Sequence, residues 1–451
     1  MNTTETIAAS AFQSSAAGQI DTQSALRFIT CGSVDDGKST LIGRLLLDSR
    51  AVLQDHLAGV TRAGETDLAL LTDGLIAERE QGITIDVAYR YFATEARKFI
   101  IGDAPGHEQY TRNMVTAASQ ADAAVVLVDA TKLDWRDQGL KLLAQTRRHS
   151  LLAQLLRVPS LVFAVNKLDA VEEPELAFAH IRHALARFAR DAGITVTATI
   201  PLSALKGWNV VAPQPGWAGY DGPSLLQLLE TLPVTPAEGD LPLAFPVQWV
   251  EKPAPSTQGR RVFWGRAATG ALAPGMAVQV LPGGQQAVVA QVLDHRRVPQ
   301  GVAAGHSAGI VLDRELDISR GDWIVATAPP REVAQDDFDA PSSQPAWPAT
   351  RELLATVAWL DDEPLTAGRV YWALHGHRWV KAKVRRVVHA LDIHTLAQEA
   401  ATQLEPNAIG HVELLLQEPI PAAAFARSRA LGSLILVDTA SHRTSGAVLV
   451  R

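Results

Sequence analysis

Eight consecutive residues carry the first chemistry. Gly32, Ser33, Val34, Asp35, Asp36, Gly37, Lys38 and Ser39 spell "GSVDDGKS", which completes the pattern G-x-x-x-x-G-K-[ST]. Two glycines let a backbone turn so tightly that its N–H groups converge on an anion. A lysine after the second glycine reaches β- and γ-phosphates, and the next hydroxyl can ligate Mg²⁺. The apolar run "LRFITC" precedes the turn, and a helical pattern starting near Thr40 follows it. The positive end of that helix adds to the anion site. Strand, turn and helix together read as a cradle for a nucleotide's phosphates rather than a plain connecting turn.

The base is named further along. "NKLD", Asn166 to Asp169, follows the apolar run "SLVFAV". That places it at a strand's carboxyl end, where α/β sheets bind ligands. Guanine presents two adjacent N–H donors, and one carboxylate, Asp169, can accept both; adenine has no such pair. Asn166 is expected to brace the loop and the Lys167 stem to cover the base. "SAL", Ser203, Ala204 and Leu205, also follows a strand and can offer backbone N–H to the guanine O6.

Between these lie the hydrolytic candidates. In "DAPGH", Asp103 can hold Mg²⁺ through water, the Gly106 N–H can sense a γ-phosphate, and His107 can orient the attacking water. In "EREQGITID", Thr84 is a second candidate hydroxyl for Mg²⁺, engaged only while the γ-phosphate is present. Lys38, Thr84 and His107 are therefore the catalytic candidates.

These residues need a sheet to hold them. From Leu26 to about Pro233, short apolar runs ("LRFITC", "RKFIIGD", "AAVVLVDA", "SLVFAVNK", "VTATIPLS") alternate with helical patterns. One helix is expected between Ala177 and Ala192, with Ile181, Leu185 and Phe188 on one face. Alternation of this kind predicts a mostly parallel sheet with helices on both faces. "PVTPAEGDLPLAFP" then reads as a linker. Short strands cut by Gly and Pro run to about Thr327, and "PREVAQDDFDAPSSQPAWP" reads as a second linker before strands return from Glu352. The expected order is a polar disordered tail (1–24), an α/β P-loop domain (25–238), and two β-barrel domains (239–335 and 348–451).

Composition sets limits. The chain has 451 residues, 47% hydrophobic and 20% charged, with a net charge of −7. No broad basic face is implied, so DNA is not an expected partner. No apolar run approaches the length that crosses a bilayer, and the first 24 residues lack a signal peptide's basic and apolar regions. The one cysteine, Cys31, precedes the phosphate turn and reads as a buried core thiol, and a reducing, cytoplasmic setting is expected. His375 and His377 complete no zinc pattern.

The five elements in order, followed by two β domains, resemble the translation-factor class of GTPases, of which elongation factor Tu is a member. "GSVDDGKSTLIGRLLLDS", "LALLTDGLIAEREQGITIDVAYRYFAT", "RKFIIGDAPGHEQYTRNMVT", "QTRRHS", "LDISRGD" and "LGSLILVD" look more like one branch, the GTPase subunits of bacterial sulfate adenylyltransferase. Translation factors typically carry His where Asp36 stands. The resemblance implies GTP and Mg²⁺ as cofactors. It also implies a smaller catalytic subunit that binds ATP and sulfate, joined in a heterodimer or higher assembly. GTP hydrolysis would drive formation of adenosine 5′-phosphosulfate and pyrophosphate there. The alternatives are an elongation-factor-like GTPase that binds aminoacyl-tRNA, and a GTP-binding scaffold. Some relatives carry a C-terminal kinase domain, which is not expected here, since Gly37-Lys38 is the only Gly-Lys pair. Thr131 to Ala144, "TKLDWRDQGLKLLA", looks longer than the family's usual connection. Its Trp135 is expected to cap a surface helix rather than touch a partner.

Overall fold

The computed structural model describes residues 25–49, 61–62, 65–66, 87–104, 111–137, 139–252, 259–327, 345–392 and 397–451. Two compact units emerge, residues 1–235 and 236–451.

The first unit is built on a six-stranded sheet. Its strands are β1 (Leu26–Cys31), β2 (Ala88–Ala93), β3 (Lys98–Asp103), β4 (Ala123–Asp129), β5 (Ser160–Asn166) and β6 (Ala198–Pro201). The order is β2-β3-β1-β4-β5-β6, all parallel except β2, which runs antiparallel to β3. Five strands fall where the apolar runs predicted them. The sixth, β2, reads "AYRYFA", and only its Phe92 is buried. An edge strand open on one side has no continuous apolar run to advertise it. β4 and β5 are buried at every residue, as strands covered on both faces must be.

The helices are α1 (Lys38–Asp48), α2 (Thr111–Ala118), α3 (Ala144–Leu155), α4 (Pro174–Asp191) and α5 (Leu225–Thr231). α4 begins three residues before the expected start, because Pro174 suits a first helical turn, where no N–H is needed. Leu41, Ile42 and Leu45 of α1 pack into one core with Phe28, Phe99 and Val125. Phe92 stacks on Phe99 at 4.6 Å, and Phe28 meets Phe99 edge-on.

Arg97, 3% exposed, ends this core against the last turn of α5. One guanidinium nitrogen donates to the carbonyls of Leu229, Glu230 and Leu232, at 3.4, 3.3 and 2.5 Å. These belong to the group of helix-end carbonyls that lack intrahelical donors. Arg97→Ala strands all three and is expected to destabilise the first unit by about 3 kcal/mol. A fall in the urea midpoint with an unchanged slope checks this; an unmoved midpoint would mean that water replaces the guanidinium freely.

The second unit opens with a closed six-stranded antiparallel barrel. Its strands are β7 (Ala244–Glu251), β8 (Val262–Arg266), β9 (Ala277–Leu281), β10 (Gln286–Leu293), β11 (Ser307–Leu312) and β12 (Trp323–Ala326), in the order β8-β11-β10-β9-β12-β7. A seven-stranded sheet follows: β13 (Ala349–Trp359), β14 (Val370–His375), β15 (Arg378–Leu391), β16 (Gln398–Glu399), β17 (Ile409–Pro421), β18 (Ser433–Asp438) and β19 (Thr444–Val450). Its order is β14-β18-β19-β13-β17-β15-β16, and β14 also pairs with β15, so six strands close on themselves.

These later strands are not all short, as the Gly- and Pro-cut texture suggested. β13, β15 and β17 have 11, 14 and 13 residues. Bulges let them turn corners: register shifts between Val384 and Arg386, where the inside–outside alternation of β15 also slips. The end of the expected second linker is not a linker. Trp347 is fully buried, donates its indole N–H to Pro242 O at 3.1 Å, and lies under Arg427. His375 is a core residue stacked on Trp323, with ring centroids 5.0 Å apart. Burial pushes its pKa down to about 4, so it is neutral at physiological pH.

Candidate functional site

The first sheet brings the sequence motifs to one edge. The phosphate turn follows β1, Asp103 ends β3, Asn166 ends β5, and Ser203 lies two residues beyond β6. Thr30 pairs with Asp103 across β1–β3, and Asp129 pairs with Asn166 across β4–β5. This is the carboxyl edge, where parallel sheets bind ligands. A cavity of about 370 Å³, lined by Phe28, Ile29, Tyr89, Tyr91 and Gly102 among others, lies elsewhere; no residue of the phosphate turn borders it.

Within the turn, every carbonyl from residue 32 to 36 is bonded by a side-chain nitrogen. Lys38 Nζ donates to Gly32 O at 3.2 Å and to Ser33 O at 2.8 Å. Lys132 Nζ donates to Val34 O at 2.5 Å, Lys167 Nζ to Asp35 O at 2.5 Å, and Asn166 Nδ2 to Asp36 O at 2.8 Å. The Ser33 N–H is taken by Asp36 Oδ2 at 2.6 Å and the Asp36 N–H by Ser33 O at 3.3 Å. The N–H groups left for phosphate oxygens are therefore those at the end of the turn and in the first turn of α1. Gly37 sits at φ 90°, and a Cβ there would come within 2.5 Å of Asn166 Nδ2, so glycine is required. α1 starts at Lys38 with no side-chain cap and no acidic residue in its first turn, which leaves its N-terminus open to an anion.

Asn166 is the hub. Besides Asp36 O, its Oδ1 accepts from Ala204 N at 3.0 Å, so one side chain joins the phosphate turn to the Ser203–Leu205 loop. Lys167 sits at φ 63°, a left-handed conformation that a non-glycine residue adopts only where surroundings enforce it. Its ammonium also pairs with Asp129 at 2.8 Å. Asp169 lies in the short 3-10 turn Leu168–Ala170, half-buried, and forms no hydrogen bond or ion pair among the described residues. In the Ser203–Leu205 loop, Ser203 Oγ accepts from Lys206 N, and Arg44 of α1 bonds both Ala204 O and Leu205 O. Ala204's N–H is thus committed to Asn166, whereas Leu205's has no protein acceptor among the described residues.

Asp103 is 4% exposed and accepts from Thr30 Oγ1 at 3.2 Å. Lys38 is buried, and desolvation lowers its pKa against the pull of Asp103 and Asp36. Desolvation raises that of Asp36, opposed chiefly by Lys132. Cys31, buried beside the turn, has its thiol pushed up to about 12, so it is an unreactive core residue at neutral pH. Thr84, Gly106 and His107 lie outside the described residues.

Two features of this edge escaped the sequence. Lys132 belongs to no motif, and its only signal is a basic residue three positions after the aspartate that ends β4. Trp135, expected to cap a surface helix, is instead 6% exposed: Arg136 covers its ring at 4.2 Å, and its carbonyl lies 2.8 Å from His180 Nδ1 on α4.

The family model described as "Elongation factor Tu GTP binding domain" matches residues 23–235, and one described as "GTP-eEF1A C-terminal domain-like" matches 352–451. A "Sulfate adenylyltransferase subunit 1" from Laribacter hongkongensis is 44% identical over 96% of this chain and 86% of its own length. The chain belongs to the sulfate adenylyltransferase subunit 1 family. A second family member, from Salmonella typhi, is 41% identical over 95% of this chain and 86% of its own length. A "Bifunctional enzyme CysN/CysC" from Xylella fastidiosa is 46% identical over 94% of this chain but only 65% of its own length. Among solved structures, sup35 complexed with GDP aligns over 95% of this chain and 94% of that one at 22% identity, with a TM-score of 0.40. Among the described residues, no helix of this family member is long and apolar enough to cross a membrane.

Proposed function

We propose that this chain is the GTP-hydrolysing subunit of a cytoplasmic sulfate adenylyltransferase, with domains at 25–238, 239–335 and 348–451. The observation that carries the reading is identity of 44% along nearly the whole chain to a subunit 1 protein. The nucleotide motifs meeting at one sheet edge support it. A smaller partner subunit joins ATP and sulfate: a sulfate oxygen attacks the α-phosphorus, the α–β anhydride bond breaks, and pyrophosphate leaves. The phosphosulfate anhydride formed is high in energy, so the equilibrium lies far toward ATP. Turnover of GTP on this chain drives the reaction forward, and the GTP and GDP forms must engage the partner with different affinity to do so.

The roles divide by position. The amides within residues 32–40 that are not bonded inside the turn take the phosphates, and Lys38 neutralises them. Asp169 reads the guanine N–H pair, Lys167 covers the base, and Asn166 braces both loops. The Leu205 N–H, rather than that of Ala204, meets the guanine O6. Gly106 senses the γ-phosphate and His107 orients water. The oxygen donors Ser39, Thr84 and, through water, Asp103 suit Mg²⁺. Ser39's hydroxyl forms no bond among the described residues, and Asp103 is buried at the sheet edge, so both fit that task. Bound there, Mg²⁺ supplies charge neutralisation at the phosphates.

The test is pyrophosphate release by the protein co-purified from its own cells, given ATP with or without sulfate and GTP. Release that needs sulfate and rises with GTP is expected. GTP turnover indifferent to sulfate, with tRNA in the eluate, would overturn the sulfate reading.

A further inference from the structure

Asp36 is an unusual neighbour for phosphates. Its carboxylate is fully buried, and Oδ2 accepts from the Ser33 N–H at 2.6 Å. A buried carboxylate without a partner is costly, and one beside a polyphosphate repels it as well. Its partner is Lys132, whose Nζ lies 2.9 Å from Asp36 Oδ1 and also bonds Val34 O. Lys132 comes from a different part of the fold, the 3-10 turn Ala130–Lys132 beyond β4. That turn is fixed by Asp129, whose Oδ1 accepts from both the N–H and the hydroxyl of Thr131 at 2.9 and 2.7 Å. Asp129's other oxygen pairs with Lys167 at 2.8 Å and stands 3.8 Å from Lys132. One aspartate therefore sets both lysines that grip the outer side of the phosphate turn.

We propose that Lys132 is a positioning residue for nucleotide binding, acting through Asp36. It cancels the Asp36 charge, so that the carboxylate can hold the Ser33 end of the turn without repelling the phosphates. This rests on the reading that residues 32–39 hold the phosphates of a guanine nucleotide. The dependence is one-sided: the Asp36 carboxylate needs the lysine, whereas Lys132 still bonds Val34 O without the carboxylate.

A double-mutant cycle on the full chain separates this from a merely structural role. The readout is GDP affinity, followed with a fluorescent GDP analogue, with a thermal melt of each variant. Lys132→Met leaves Asp36 uncompensated and is expected to weaken GDP binding by about tenfold or more. Lys132→Arg keeps the charge and stays near wild type. Asp36→Asn alone leaves no uncompensated carboxylate and loses less affinity than Lys132→Met. Asp36→Asn added to Lys132→Met recovers most of the lost affinity, because the offending charge is gone.

A lysine that only holds Val34 O gives no such rescue; additive losses in the double variant would overturn the proposal, as would wild-type affinity in Lys132→Met. If Lys132→Met does not fold, a loss of tenfold or more in Asp36→Asn alone serves as the overturning result. A wild-type chain that binds no guanine nucleotide would be the separate failure of the underlying assignment.

Discussion

Lys38→Ala is expected to lose GTP and GDP binding by roughly a thousandfold while leaving the unliganded protein nearly as stable as before. The two halves of that result come from one geometry. Nζ bridges Gly32 O and Ser33 O from inside the turn, and the residue is 7% exposed. A buried ammonium facing phosphates makes charge-assisted hydrogen bonds, each worth about 1.5–3 kcal/mol. Two of them lost amount to about 4 kcal/mol, or about a thousandfold in affinity. In the empty protein the accounts differ. The substitution takes a donor from Gly32 O, while Ser33 O keeps the Asp36 N–H, and it removes a cation whose burial lowers its pKa. Calorimetric titration with GDP and a thermal melt of the same sample check both halves. Weak binding with a collapsed melting temperature would mean the lysine is a structural staple; tight binding would remove the turn from the nucleotide site. Lys38→Arg should fare little better, because a planar fork cannot reproduce a compact point charge between two carbonyls.

Much of this site was legible because phosphate and guanine chemistry demands particular residues at fixed spacings. Gly37 is required by a positive φ and by the approach of Asn166 Nδ2, and no other residue type meets both conditions. The central strands were legible for a related reason: a strand covered on both faces must be apolar throughout, as β4 and β5 are. What the sequence concealed depends on tertiary placement. Lys132 reaches Val34 and Asp36 from about a hundred residues away in the chain, through a turn that no periodicity marks. Trp135 reads as the cap of a surface helix, yet it is buried and its carbonyl meets His180 of α4. β2 carries one buried residue in six, too little pattern for a strand. The long strands of the last sheet broke the alternation rule at their bulges, where β15 turns two successive residues, Arg385 and Arg386, outward.

The second large effect concerns the base. Asp169→Asn is expected to weaken GTP binding by about a hundredfold or more and to create preference for xanthosine triphosphate. Guanine differs from xanthine at C2, which carries an amino donor in the first and a carbonyl acceptor in the second. A carboxylate only accepts, so Asp169 selects the donor; an amide also donates, so the variant favours the carbonyl. Discrimination of this kind is strong because the mismatched pair leaves a buried polar group without a partner. The structure makes Asp169 a suitable reader. The left-handed turn at Lys167 and the 3-10 turn after it carry the side chain past the strand end, and no protein group among the described residues competes for its oxygens. Its neighbour Asn166 bonds both loops, so Asn166→Ala should weaken every nucleotide without changing the order of preference. Competition between GTP and xanthosine triphosphate for a fluorescent GDP analogue distinguishes the two substitutions. A changed order with Asp169→Asn and an unchanged one with Asn166→Ala would separate recognition of the base from bracing of the loops. An unchanged order in both would assign the base to another side chain, and with it the claim that this turn reads guanine would fall.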